Sequence, residues 1–136
     1  MIFTTWLLAA AISTQPIEAT VYKDPNCGCC NDWIAHLEKN GFAVKTHNQR
    51  RDFGVPRKYA SCHTAIVAGY AIEGHVPAND IKRLLEEKPD AIALAVPNMP
   101  IGSPGMDGAA YDGLSEPFEV LLVGKDGSAR VFGEYK

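Results

Sequence analysis

Three cysteines crowd the segment NCGCC as Cys27, Cys29 and Cys30, and a fourth, Cys62, stands in ASCHT. Cys27 and Cys30 have the CxxC spacing of a thiol–disulfide pair, directly ahead of a helical pattern. A helix amino terminus lowers a thiol pKa from about 8.5 into the range where thiolate is populated at neutral pH. That supports either redox exchange or metal binding. Cys29 favours metal. A dithiol exchanger needs two sulfurs, and a third offers wrong partners, including a strained vicinal pairing with Cys30. Adjacent thiolates also repel one another unless a cation sits among them. The bland alternative is one structural disulfide with a spare thiol. Sequence neighbours staple little, however, and a chain of 136 residues can bury a core without a staple.

Ligand softness narrows the choice of metal. Thiolates with thioethers select Cu(I), thiolates with imidazole suit zinc or copper, and all-thiolate sets also hold iron and sulfide. Zinc fits less well, because Cys62 with His63 beside it is not the second claw of a zinc finger. The candidate ligands are therefore Cys27, Cys29, Cys30 and Cys62, with His63 as ligand or ligand-supporting partner. Met99 and Met106, in NMPIGSPGM, are thioethers in a loop with few other large residues and could cap a soft-metal site. His36 reads as a solvated histidine on the polar face of its helix, His47 as a surface residue, and His75 as structural. No paired carboxylates, Ser-His-Asp grouping or phosphate-cradling glycine loop is evident.

The net charge of −3 gives no reason to expect nucleic acid or an anionic membrane surface as partner. An apolar run from Ile2 to Ile12, closing on the small residue Ala19, reads as an export signal, too short for a membrane anchor. The expected organisation is thus a leader over 1–19 and a single metal-binding domain over 20–136, in an oxidising compartment where exposed thiols end as disulfides or ligands.

The elements that must position the sulfurs follow from patterning. TVYK predicts a strand from Thr20, DPN a turn, and CNDWIAHLEKNG a helix with Trp33, Ile34 and Leu37 on one face. FAVKTH alternates as a second strand, making a βαβ unit with parallel strands. NQRRDFGVPRKYAS reads as a connection with one helical turn. TAIVAG and YAIEGHV predict a hairpin pivoting near Gly69. PANDIKRLLEEKPD predicts a helix opened by Pro77 and stopped before Pro89. Residues 89–117 are rich in proline and lack periodicity, which predicts one long loop. FEVLLVGKDGSARVFGEY predicts a strand, a turn at Asp126 and Gly127, and a strand.

The order β-α-β then β-β-α is that of an α/β, thioredoxin-like domain, here with a C-terminal loop and β-hairpin extension, and CGCC is similar to the thioredoxin CGPC. In such a fold the segment after the first strand and the segment entering the third meet at one end of the sheet. Cys62 is thereby expected beside Cys27, Cys29 and Cys30.

YKDPNCGCCNDWIAHLEKNGF, VPRKYASCHTAIVAGYAIEGHVPANDIKRLLEEKPDAIALAVPNMPIGSPGM and FEVLLVGKDGSARVF together closely resemble the CopG-like proteins, a family associated with bacterial copper resistance. The resemblance covers nearly all of the chain after the expected leader. It implies a periplasmic thioredoxin-like protein in which Cys27, Cys29, Cys30 and Cys62 bridge several copper ions, with coupling to copper redox chemistry left open. Its implied partners are copper ions and other periplasmic copper-handling proteins. The rival reading is a thiol–disulfide oxidoreductase that works through Cys27 and Cys30.

Overall fold

The computed structural model describes residues 15–136. The chain is a mixed α/β protein built on one seven-stranded sheet in the order β2-β1-β3-β4-β5-β6-β7. β1 (Ile17–Lys23) leads through α1 (Gly28–Lys39) to β2 (Phe42–His47), which lies parallel to β1 in the register Ile17 to Phe42 through Tyr22 to His47. β3 (His63–Val67) runs antiparallel to β1 on its other side and turns back into β4 (Tyr70–Glu73). The turn is made by Ala68 and Gly69, both at positive φ (49° and 86°), the backbone that joins twisted strands most directly.

Two differences from the sequence patterning have simple causes. β1 begins at Ile17 rather than Thr20, because the Ile17 N–H bonds the Gly41 carbonyl and Ala19 is already core. The boundary expected after Ala19 therefore falls inside β1, and most of the expected leader lies outside the described residues. Residues 89–117 are not one loop. They contain β5 (Ala93–Ala95), a buried three-residue strand parallel to β4 and antiparallel to β6 (Phe118–Val123). The predicted C-terminal hairpin of β6 and β7 (Ala129–Tyr135) consequently extends the same sheet instead of forming an appendage.

The core divides by sheet face, as strand alternation requires. On one face Trp33 and Leu37 of α1 and Ile81 and Leu84 of α2 (Ala78–Glu87) pack with Val21, Ala65, Ile72, Leu94 and Leu122. The opposite face holds a smaller cluster of Ala71, Ala93, Ala95 and Val123 under Phe53, Val55 and Tyr59 of the 48–60 connection, which includes a helical turn at Arg57–Tyr59. Burying the larger cluster, at about 25 cal/mol per Å² of apolar surface, is what fixes both helices on the sheet.

Candidate metal centre

α1 begins at the end of β1, after a tight turn in which the Asn26 N–H donates to the Asp24 carboxylate and the Cys27 N–H to the Asp24 carbonyl. Cys27 is the residue before the first helical turn, and Cys29 and Cys30 lie within that turn, near the positive end of the helix dipole. Cys62 directly precedes β3 at the same end of the sheet. The expected convergence is met: the Sγ atoms of Cys27, Cys29, Cys30 and Cys62 all lie within 4.8 Å of one another. Cys27 and Cys30 are joined by a disulfide in this structure, while Cys29 and Cys62 are free thiols. Cys29 Sγ stands 3.5 Å from Cys27 Sγ on one side and 3.5 Å from Met99 Sδ on the other.

Two imidazoles complete the inner wall. His63 is wholly buried, lies tilted against Trp33 with ring centroids 4.3 Å apart, and places Nδ1 3.3 Å from both Cys30 Sγ and Cys62 Sγ. It faces the sulfurs because it begins β3 at the end of the sheet where α1 starts. His75, expected to be structural, places Nε2 3.2 Å from Cys62 Sγ. Cys62, His63 and His75 thus form a second group whose donor atoms lie within 4.8 Å of one another, sharing Cys62 with the sulfur group.

Electrostatics keep this wall uncharged. Burial, and then the neighbouring Cys29, push the Cys62 thiol up to about 12. Burial, followed by the facing His75, pulls His63 down to about 3, and burial pulls His75 down to about 4 against the opposing pull of Asp107 and Asp32. Neutral imidazole nitrogens with free lone pairs and a thiol that ionises only when a cation displaces its proton are the protonation states that metal binding requires. The Ser103 hydroxyl donates to the Pro100 carbonyl at 2.6 Å, so its oxygen is left to accept from His75 Nδ1–H at 3.5 Å. That tautomer leaves the His75 Nε2 lone pair facing Cys62. His63 Nε2 is buried with no hydrogen-bond partner, an orphan that is the cost of presenting Nδ1 to two sulfurs.

The supporting contacts come from far apart in the chain. Trp33 Nε1 donates to the Val76 carbonyl at 2.9 Å and holds the 74–77 segment against α1. Gly74, at φ 77°, lets that segment pass the Ser61 side chain and the Val96 backbone; a Cβ there would meet the Val96 carbonyl at 2.5 Å and Ser61 Cβ at 2.7 Å. Glu73, 2% exposed, accepts from the Ser61 N–H at 2.8 Å and from the Thr64 hydroxyl, bracketing Cys62 and His63. Arg50 lies 3.6 Å from the same carboxylate.

Of the two thioethers, Met99 is brought to the cluster and is 45% exposed at its mouth. Met106 is not: its sulfur accepts from the Tyr111 hydroxyl at 3.2 Å. His36 differs from its expected solvated role, because its Nε2 accepts the Ala78 N–H at the start of α2. Its pKa is lowered, chiefly by burial.

A mixed α/β sheet with four converging sulfurs and two neutral imidazoles at one end defines a protein whose donor groups could hold a metal ion. Comparison with known proteins gives the family. Two solved structures described as copper resistance protein CopG, forms 1 and 2, are each 43% identical to this chain, with TM-scores of 0.79. The matches cover 88% of this chain and 98% of the form 1 chain, and 89% and 99% for form 2. The chain belongs to the CopG-like copper-resistance family. Residues 59–106, which include Cys62, His63, His75, Met99 and Met106, also match the family described as "Protein of unknown function, DUF411". No curated protein sequence matches the chain.

Proposed function

We propose that this protein binds copper as Cu(I) in the cell envelope, in a cluster bridged by the thiolates of reduced Cys27, Cys29, Cys30 and Cys62, and so limits free copper. The observation that carries this reading is the mutual approach of the four sulfurs within 4.8 Å, a spacing at which thiolates can share cations and relieve their repulsion. His63 and His75 extend the donor set inward, and Met99 extends it outward. Met106 stands outside the set in this arrangement. The relatives' description as copper resistance proteins supports copper over zinc. The thioredoxin-like reading is supported by the β2-β1-β3-β4 order, with β1 and β2 parallel and β3 antiparallel. Periplasmic location rests on the apolar run between Ile2 and Ile12.

A second reading is favoured by the Cys27–Cys30 disulfide at the start of α1, where a thiol–disulfide oxidoreductase would carry its working pair. Two electrons and two protons reduce that bond to two thiols, so copper binding and disulfide formation compete for the same sulfurs.

Anaerobic titration of the reduced protein with Cu(I), followed by desalting, metal analysis and alkylation of remaining thiols, separates the readings. More than one copper retained per chain with all four thiols protected is expected. No retained copper, together with a Cys27–Cys30 disulfide that re-forms readily in air and exchange activity that survives Cys29→Ser, would move the protein to the oxidoreductases.

A further inference from the structure

Outside the mouth of the cluster, a groove of 610 Å³ runs from Met99 along the C-terminal hairpin. Pro97, Phe118 and Leu121 supply its apolar lining, and Glu116, Glu119 and Glu134 its charge. Glu119 and Glu134 are directly opposed in the β6–β7 ladder, a like-charge pairing that disfavours the folded sheet unless a cation lies against it. Among the described residues no salt bridge engages any of the three glutamates. Glu116 is partly occupied, its Oε1 accepting the Ile101 N–H at 2.9 Å. Among the described residues Lys136 is the one cationic side chain on the lining, against three glutamates.

We infer that this groove docks a basic, extended segment of a partner protein that exchanges metal with the cluster across Met99. Three features define the occupant. The carboxylates call for lysine or arginine side chains, and the apolar lining calls for intervening hydrophobic ones. Met99, half-exposed and 3.5 Å from Cys29 Sγ, gives the docked segment a thioether bridge to the partly buried outer sulfur of the group. A donor side chain on the segment would meet the same thioether from outside. The exchange role rests on the copper reading above; the docking surface itself stands on the groove and its charge.

The test uses the folded, copper-free chain and a short labelled peptide alternating lysine and methionine, with a glutamate–methionine peptide as counterpart. Fluorescence anisotropy gives affinity, and amide chemical shifts locate the contact. Binding of the basic peptide alone is expected, with shifts confined to 96–100, 116–121 and 134–136. Affinity should fall about fivefold in the double variant Glu119→Gln/Glu134→Gln, as for the loss of exposed ion pairs, and fall again in high salt. The two substitutions relieve a repulsion, so they leave the fold intact. Absence of saturable binding, equal binding by the double variant, or shifts elsewhere would overturn the inference. Peptide binding by a chain that retains no Cu(I) would keep the docking surface and strike the copper reading alone; copper retention without peptide binding would do the reverse.

Discussion

His75 Nε2 lies 3.2 Å from Cys62 Sγ, although the two residues are thirteen positions apart. The contact exists because β3 and β4 form a hairpin, and because Gly74 lets the chain leave β4 sharply enough to return its next side chain to the sulfurs.

If His75 holds metal or orients a residue that does, His75→Phe should weaken Cu(I) affinity about 10- to 100-fold, the usual cost of losing a ligand's partner. Competition against a chromophoric Cu(I) chelator measures it. Unchanged affinity would confine His75 to packing.

The two buried imidazoles make the copper-free protein acid-sensitive. His63 and His75 fall from 6.5 to about 3 and about 4 in the folded state, so below about pH 6.5 the unfolded chain binds more protons. Their stabilisation is fully present above that pH and is lost as pH falls towards 4, at no more than about 1.4 kcal/mol per pH unit for each group. Denaturant midpoints measured from pH 7 to pH 4 should drop accordingly, and His63→Phe should flatten the slope. A midpoint independent of pH in that window would contradict the buried neutral state.

Glu73 fixes the approach to Cys62. Glu73→Ala would leave the part-buried Ser61 N–H and the buried Thr64 hydroxyl without their acceptor, at about 1–3 kcal/mol for the buried group left unsatisfied. Thermal unfolding should register the loss, and Cys62 should alkylate faster in the folded state. Equal alkylation rates would show that Glu73 does not hold Cys62 in place.

Gly105 seats the 97–106 loop on α1. At φ 99° it brings the loop so close that a Cβ would meet the Cys29 carbonyl at 2.8 Å and the Trp33 nitrogen at 3.1 Å. Gly105→Ala should cost about 1–3 kcal/mol through strain alone and lift Met99 from Cys29. Faster alkylation of Cys29 in the variant is the expected signature; wild-type stability and reactivity would mean the loop bends at no cost.

The sulfur half of the site was legible because chemistry and topology agree there. Three cysteines at a helix start are a local signal, and the βαβ–hairpin order brings Cys62 to the same sheet end. His75 carries no such signal. A histidine just ahead of a helix reads as structural until the backbone shows that β4 ends at Glu73 and Gly74 turns the chain, where the pattern had run the strand on to Val76. β5 was missed because Ala93, Leu94 and Ala95 are too few to show a period, although the apolar run from Ala91 to Val96 between two prolines suits a strand buried on both faces. Met99 and Met106 share one loop and one composition. Only the fold of that loop sends one sulfur to Cys29 and the other to Tyr111.

Within the sheet, the three residues of β5 are the strand that joins the cysteine-bearing half to the C-terminal hairpin. Separating the hairpin would strip β6 from β5 and leave the uncharged Ala93–Ala95 strand with an open row of backbone donors and acceptors, the kind of edge that recruits other chains. The hairpin therefore acts as a shield against self-association. A chain cut ahead of Phe118 should precipitate even though every cysteine remains, and the intact molecule should unfold in a single cooperative step.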